Sequence, residues 1–365
     1  MKSPIMPGVL ACGLAILLAG GRYARADALD PEYRKSVEKG LEWLAKAQHR
    51  DGHWTAPGGQ YPTTMTALAG MALLMEGSTI RDGRYADNIR RAVDWFMDHS
   101  QRNGLLGPNQ GGRGYMHDHG YALLFLSCVY GEEEDGDRRR KLEGLLTRGV
   151  DFTGKAQSSR GGWYYMSRTE GGDLDEGSVT VTQVQALRAA RNAGIVVPKS
   201  IIDKAEDYLK KCTTSRGGII YSLTQGGGPD RPALTAAAIA CMFSAGEYSS
   251  PLAKRWIKFC QTSIPSLNQG YRMGHDEYTH YYYAQALYIL GDQGYAKLFP
   301  DSRESERLTW SKYRKEAYDY LKSNQNSDGS WSGSGNWGHI GPVYATAIAL
   351  TILQLDNGTL PIYQR

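Results

Sequence analysis

The chain has 365 residues, 41% of them hydrophobic, and carries 42 Lys and Arg against 38 Asp and Glu. Lys2, Arg22 and Arg25 fall in the first 26 positions, so the other 39 basic residues nearly balance the acids. A near-neutral chain without a basic stripe or a polybasic segment excludes a nucleic-acid partner and an electrostatic membrane anchor. The length is sufficient for one large hydrophobic core.

The N-terminus has the features of a secretory signal. Lys2 precedes an apolar run from Val9 to Ala19, and Ala24-Arg25-Ala26 follows as a small-x-small cleavage site. The run is too short to span a bilayer, and no similar stretch follows it. We therefore expect a signal peptide at 1–26, a single domain at 27–365 without a transmembrane segment, and export to the periplasm or the medium.

A motif recurs along the rest of the chain: a glutamine or its substitute, then a glycine pair or Asp-Gly, then an aromatic residue. The clear copies are Gln48 to Trp54, Ala156 to Tyr165 and Gln325 to Gly333, and the weaker ones are Asn109 to Tyr115, Cys212 to Ser222 and Asn268 to Gly274. The spacing of roughly 50 to 60 residues leaves room for two helices per unit, which is typical of a helical repeat array.

Two kinds of helix alternate within these units. The first kind is amphipathic, as at Tyr33 to Gln48, Asn88 to Ser100, Ile201 to Cys212 and Tyr313 to Gln325. The second kind is apolar on all sides and rich in small residues, as at Thr63 to Met75, Ala233 to Gly246 and Val343 to Leu355. Helices apolar all round must be enclosed. The alternation predicts an all-α protein, an (α/α)6 toroid with six inner and six outer helices.

The motif resembles the Q-x-x-x-G-x-W motif of the squalene cyclase and protein prenyltransferase repeat superfamily. Gln48 to Trp54 and Gln325 to Trp331 match it, and Gln157 is the glutamine of the copy that ends at Trp163. The stretches His119 to Leu123, Ser178 to Gln183 and Tyr281 to Leu287 resemble segments of secreted single-barrel bacterial members. The resemblance implies a terpene cyclase-type toroid with an apolar, isoprenoid-like ligand in its central cavity.

Polar residues collect where the motif loops lead into the inner helices. Because each inner helix would begin at the same end of the barrel, its positive N-terminus favours an anionic or electron-rich group there. We therefore expect the cavity to bind an apolar or partly anionic ligand. The predicted ligand-binding residues are His117, Asp118, His119, His275, Asp276, Tyr278, His280, Tyr282 and His339.

The segment Gly171 to Leu187 resembles the D-x-D-D segment of class II terpene cyclases. The resemblance implies Asp175 as proton donor, with Asp173 and Glu176 beside it as catalytic residues. An acid that protonates an alkene must be kept neutral by burial. The same spacing is also that of a helix capping box.

The sequence is compatible both with a zinc site and with the absence of a metal. The prenyltransferase relatives hold zinc with Asp, Cys and His, but the chain lacks an Asp-x-Cys pair with a downstream histidine. A zinc site would instead use His117, His119, His275 and His280, since neutral imidazole is a good zinc ligand. Cys128, Cys212, Cys241 and Cys260 either form disulfides in an oxidising compartment or remain buried thiols.

Two other functions fit the same toroid. Paired carboxylates, or tyrosine with histidine, would suit a carbohydrate-active lyase or glycosidase that binds a glycan ligand. The 24 tyrosines supply many stacking partners for sugars. A non-enzymatic scaffold in the cell envelope is the contrasting hypothesis, and it predicts an apolar patch on the outer surface.

Overall fold

The computed structural model describes residues 29–108, 114–243, 249–267, 276–333 and 340–364. In these residues two sets of long helices alternate along the chain. The first set is α1 (Pro31–Lys46), α3 (Ala86–His99), α5 (Gly136–Ala156), α8 (Lys199–Cys212), α10 (Pro251–Ser263) and α13 (Trp310–Ser323). The second set is α2 (Pro62–Met75), α4 (Tyr115–Tyr130), α7 (Gly177–Asn192), α9 (Pro232–Phe243), α11 (Asp276–Leu290) and α14 (Pro342–Leu353). Two short helices, α6 (Arg168–Gly171) and α12 (Gly294–Leu298), lie in the connections.

The second set closes into a ring. Each of its helices packs on the next, in the order α2, α4, α7, α9, α11 and α14, and α14 returns to pack on α2. The first set lies outside this ring, where α1 packs on both α13 and α14 and so joins the two ends of the chain. The prediction of an (α/α)6 toroid with an inner and an outer layer is confirmed.

The burial of the helices explains why the layers form. Every residue of α2 is buried, since its Ala, Thr, Leu and Met side chains face α4, α14 and the outer layer. In α1 the buried residues are confined to one stripe: Ser36, Val37, Gly40, Leu41 and Leu44. A stripe at three- and four-residue spacing faces one neighbour and leaves the opposite side to water. The apolar helices therefore occupy the inner ring.

In the described residues a glycine turn joins five of the outer helices to the loop before the next inner helix. In the first unit Gly52 N donates to His49 O and His49 N donates to His53 O. Gly52 has a φ of +102°, and a Cβ there would stand 2.3 Å from the carbonyl oxygen of Arg91 on the neighbouring outer helix. Equivalent turns contain Gly104, Gly161, Gly217 and Gly329. Glycine is required because the outer helices approach the turns this closely.

The second copy of this turn is not where the sequence pattern placed it. Asn109 to Tyr115 lies largely outside the described residues, and the turn is made by residues 101–105 around Gly104. Leu106 takes the place held by an aromatic residue in the clear copies, which hides the motif. The predicted copy at Asn268 to Gly274 lies outside the described residues.

The glutamine and tryptophan of the clear copies clamp the turn to its surroundings. Gln48 Nε2 donates to Gly52 O at 2.8 Å and to Asn88 O of the next outer helix at 2.9 Å. Trp54 Nε1 donates to Leu44 O at 2.7 Å. The same contacts recur for Gln157 with Trp163 and for Gln325 with Trp331.

The C-terminal segment crosses the end of the barrel at which the inner helices finish. Gln354 Nε2 donates to Ala72 O at 3.0 Å, and Asn357 Nδ2 donates to Met75 O at 3.0 Å. Tyr363 is buried, with its hydroxyl 3.1 Å from that of Tyr281. Access to the barrel interior is therefore expected from the opposite end, where the inner helices begin.

Cys128, Cys212, Cys241 and Cys260 are all unpaired thiols. Burial raises the pKa of the Cys128 thiol to about 12, so it stays protonated at neutral pH. Within the described ranges no helix is long and apolar enough to cross a bilayer. The predicted signal peptide at 1–26 lies outside these ranges.

Candidate functional site

A cavity of about 720 Å³ opens at the end of the barrel where the inner helices begin. Each of the six inner helices contributes to its wall. The contributing residues include Thr63 of α2, His117 of α4, Ser178 of α7, Ala233 of α9, Tyr278 of α11 and Tyr344 of α14. The helix N-termini converge on one shared cavity.

Tyrosine rings form much of the cavity wall. They belong to Tyr61, Tyr115, Tyr121, Tyr165, Tyr221, Tyr278 and Tyr344. The Tyr115 hydroxyl donates to Glu170 Oε2 at 2.7 Å, and the hydroxyls of Tyr165 and Tyr221 lie 2.6 Å apart. These three hydroxyl groups are engaged within the protein, so the rings supply broad, largely apolar contact area to the cavity.

Asp118 lies in the first turn of α4 and lines the cavity. Its Oδ1 accepts hydrogen bonds from Thr64 Oγ1 at 2.5 Å and Thr64 N at 3.3 Å, which ties α4 to the start of α2. Burial raises the pKa of the Asp118 carboxyl to about 6, although the bonds from Thr64 oppose that shift. The carboxyl therefore titrates near neutral pH.

A short polar chain lines the same cavity at the start of α7. Glu176 caps this helix by accepting from Ser178 N at 2.8 Å and Val179 N at 2.9 Å. The Ser178 hydroxyl donates to Glu176 Oε2 at 2.5 Å and lies 3.1 Å from His117 Nε2. Because the serine proton is given to Glu176, we assign the imidazole proton to Nε2 of His117.

Burial determines the charge of this group as well. It lowers the pKa of His117 to about 4 and raises the pKa of Glu176. His117 is therefore neutral at pH 7. Arg231 is the basic side chain among the described lining residues, and it is exposed at the rim with its guanidinium 5.7 Å from the centre of the Tyr221 ring.

His119 faces away from the cavity, toward the outer layer. It is fully buried, accepts from Leu106 N at Nδ1 over 3.2 Å, and its Nε2 lies 2.9 Å from Thr153 Oγ1 of α5. In other units a threonine of the inner helix receives the equivalent backbone bond, as Thr66 does from Trp54 N at 3.0 Å. Thr180, Thr235 and Thr346 do the same. His119 thus holds a turn in place.

Asp175 lies behind the cavity wall, among donors from α8 and the loop that follows it. Its Oδ1 accepts from Tyr208 Oη at 2.9 Å and from Leu223 N at 2.7 Å. Ser222 Oγ donates at 3.0 Å, and Thr224 Oγ1 also contacts the carboxylate. Asp175 is fully buried, and it is not among the residues that line the cavity.

Asp173 is on the outside of the rim, where its carboxylate binds the backbone and hydroxyl of Ser159. These bonds keep the pKa of Asp173 below its usual value. Of the three predicted catalytic residues, only Glu176 reaches the cavity. The described arrangement therefore does not assemble the proton-donating acid group inferred from the cyclase resemblance.

The predicted residues of α11 divide in a similar way. Tyr278 lines the cavity, whereas His280 points outward and bonds through Nδ1 to the Tyr313 hydroxyl at 2.9 Å. Tyr282 is fully buried with its ring 5.0 Å from that of Tyr278, and neither Tyr282 nor Asp276 lines the cavity. His275 and His339 lie outside the described residues.

A zinc site does not form from the predicted histidines that the structure describes. His117 faces the cavity, His119 faces α5 and His280 faces α13. Across the described part of the chain, no group of three His, Cys, Asp or Glu residues could hold a metal ion. His275, the fourth predicted histidine, lies outside the described residues.

Several lining residues were not among the predicted site residues, including Tyr165, Ser178, Tyr221 and Arg231. Ser178 and Arg231 lie at the beginning of an inner helix. Aligning the helix starts across the six units would have found them, since the starts share one end of the barrel. Tyr165 and Tyr221 lie in loops whose path the sequence does not determine.

The fold and the cavity define an α/α toroid whose cavity opens at the end where the inner helices begin. No family model and no curated protein matches the chain. Among solved structures it is similar to an inactive variant of the α-1,6-mannanase GH76A of Salegentibacter sp. HEL1_6 in complex with α-1,6-mannotriose. The identity is 10%, covering 90% of this chain and 99% of that one, with a TM-score of 0.61.

It is also similar to the type II terpene cyclase MstE from Scytonema, with 15% identity over 90% of this chain and 99% of that one and a TM-score of 0.58. At such identities the likeness concerns the fold. The toroid is thus shared with both a type II terpene cyclase and an α-1,6-mannanase.

Proposed function

We propose that this protein is exported and that its toroid binds a mainly apolar, isoprenoid-like ligand in the central cavity. The observation that carries the proposal is the aromatic wall around a cavity of about 720 Å³. That volume falls within the roughly 300 to 1,000 Å³ of ordinary small-molecule sites. Tyrosine rings and aliphatic residues such as Leu234 and Ile340 suit a branched hydrocarbon chain.

The polar groups of the cavity support this choice because most of them are already engaged. Glu176 is bound by the start of α7, and His117 is neutral and hydrogen-bonded to Ser178. Engaged groups do not demand many polar partners from a ligand. Export rests on the predicted signal at 1–26, with its apolar run and its Ala24-Arg25-Ala26 site.

Farnesol is a suitable probe, with isothermal titration calorimetry as the measurement. Ala233→Trp places a large ring at the cavity wall, so farnesol binding should fall by at least about ten-fold, the equivalent of 1.4 kcal/mol. The matched control is Val196→Trp, which adds the same ring at a position 83% exposed in the loop after α7. Equal affinity in wild type and Ala233→Trp, or no farnesol binding at all, would refute the proposal.

A carbohydrate-active role is the second candidate, because two carboxyl groups with raised pKa values, Asp118 and Glu176, line the same cavity. Glycosidases use such a pair as acid and base or nucleophile. The test is hydrolysis of α-1,6-mannotriose, followed by chromatography of the products. Release of mannose that Asp118→Asn abolishes would favour this role over simple binding, whereas intact trisaccharide would exclude the reaction for that substrate.

A further inference from the structure

The two oxygens of the Asp118 carboxylate differ in their environment. Oδ1 accepts both hydrogen bonds from Thr64, at 2.5 and 3.3 Å. Oδ2 accepts none from the described residues. Asp118 is half-buried and lines the cavity. One carboxylate oxygen remains available to a ligand.

The inner helix starts would ordinarily attract an anion, but two of them are already bound to protein carboxylates. Thr64 N at the start of α2 donates to Asp118, and Ser178 N and Val179 N at the start of α7 donate to Glu176. A phosphate or carboxylate on the ligand would compete with these acids for the same positive ends. It would also be repelled by them at close range.

Among the described residues that line the cavity, basic groups do not offset this effect. His117 is neutral, since burial lowers its pKa to about 4. Arg231 is exposed at the rim beside the Tyr221 ring, where solvent screens its charge. The described part of the cavity wall is consequently a poor environment for an anionic group and a favourable one for a hydrogen-bond donor.

We propose that the ligand carries a hydroxyl or ammonium group at the end of its apolar chain, and that Asp118 binds this donor through Oδ2. This inference rests on the proposed function, and it replaces the expectation of a partly anionic ligand. The buried carboxylate gains from a donor because a hydrogen bond to its charged form offsets the cost of desolvation. An apolar alcohol or amine is therefore the class of ligand, and a prenyl phosphate should bind more weakly.

The experiment compares three probes with the same fifteen-carbon chain: farnesol, farnesylamine and farnesyl phosphate. Calorimetric titration of the full-length protein at pH 7 gives their affinities. Farnesylamine and farnesol should bind at least about ten-fold more tightly than farnesyl phosphate, a difference of 1.4 kcal/mol. The order of the three affinities is measured on the wild-type protein, so this test does not depend on the folding of a variant.

Asp118→Asn then tests the named residue, because the amide keeps an oxygen for Thr64 but loses the charge. It should weaken farnesylamine by about ten-fold and narrow the gap between farnesol and the phosphate. The control is Asp173→Asn, which removes an equal charge from the outer rim, outside the cavity wall, and should leave all three affinities unchanged.

The outcomes separate this inference from the proposed function. If none of the three probes binds, the proposal of an apolar ligand fails. If all bind but the phosphate is as tight as the alcohol, or Asp118→Asn leaves the order and spacing of the affinities unaltered, the cavity still takes an apolar chain and the role given to Asp118 is overturned.

Discussion

Three consecutive residues at the start of α4 point into two different regions of the molecule. His117 and Asp118 face the central cavity, whereas His119 faces the layer between the inner and outer helices. Successive residues of an α-helix are separated by about 100°, so three in a row cannot share one face. Proximity to the mouth is therefore not sufficient for a role in binding.

The two regions also treat their polar groups differently. Between the rings, Asp175 receives hydrogen bonds from Tyr208, Ser222, Leu223 and Thr224, which bring distant parts of the chain together. On the cavity side, Asp118 binds Thr64 through Oδ1, and its Oδ2 accepts no hydrogen bond from the described residues. We call the layer between the inner and outer helices the inter-ring layer. Its polar groups should stabilise the fold, whereas those of the cavity should bind a ligand.

The largest effect is expected at the turns that support the inter-ring layer. Gly161→Ala puts a Cβ 2.2 Å from the carbonyl oxygen of Lys204, at a φ of +96°. We expect the free energy of unfolding to fall by about 3 kcal/mol or more, since backbone must move. Gly194→Ala is the control, with a φ of +87° and open space around the added carbon, and it should cost only about 1 kcal/mol. Equal losses, measured by urea unfolding, would show that the close approach is unimportant.

Asp175→Ala should come next, with a loss of about 3 kcal/mol in the free energy of unfolding. The variant leaves the buried hydroxyls of Tyr208 and Ser222 and the Leu223 N–H without their acceptor. Farnesol affinity of the folded protein should stay within about two-fold of wild type. Loss of binding together with unchanged urea unfolding would instead place Asp175 in the site, as the cyclase resemblance implied.

His119→Thr restores the residue type found at the same place in other units. At pH 7 it should cost about 2 kcal/mol, because it removes the bond to Thr153 and the contact with Phe152. Burial lowers the pKa of His119 to about 4, against an ordinary value of 6.5. The folded protein thus binds fewer protons than the unfolded chain between these values, and the histidine's contribution is lost as pH falls through that window.

The difference between wild type and His119→Thr should therefore shrink between pH 7 and pH 4.5 in urea unfolding experiments. A difference that stays constant would mean that the imidazole is hydrated, and that the inter-ring layer is wetter than its contacts indicate. Such a result would weaken the distinction between the two regions.

The sequence was sufficient to predict the two layers of helices. It was only partly sufficient to predict whether a given polar side chain faces the cavity or the layer between the rings. Helices such as α2, apolar on every side, have to be enclosed, and their alternation with amphipathic helices such as α1 leads to a double ring. The position within the repeat could have indicated the role of two histidines. His119 and His280 occupy the position in the inner helix that Thr66 occupies in the first unit. A residue that replaces a structural threonine is best interpreted as structural.

Other parts depended on contacts that no local pattern reveals. The hydrogen-bond partners of Asp175 lie 33 to 49 residues further along the chain. The sequence therefore shows the neighbouring acids Asp173 and Glu176 but not the buried environment of Asp175. The same holds for two loop tyrosines of the cavity, because Tyr165 and Tyr221 are in contact although 56 residues separate them in the sequence. Sequence spacing fixes which residues share a helix face but not where a loop returns.

Asp118→Asn should give the smallest change in stability, and its sign distinguishes the regions. Burial raises the pKa of Asp118 to about 6, against 3.8 ordinarily, so the folded protein binds more protons than the unfolded chain in this window. Stability linked to this group is present at low pH and lost as pH rises through 6. An amide avoids that loss, so we expect the variant to gain about 1 kcal/mol at pH 7.5 and nothing at pH 4. Urea unfolding at both pH values provides the measurement.

A gain in stability together with weaker farnesylamine binding would mean that the carboxylate is retained at a cost to the fold, as ligand-binding groups often are. Destabilisation at pH 7.5 would instead mean that Asp118 has a structural role, like His119.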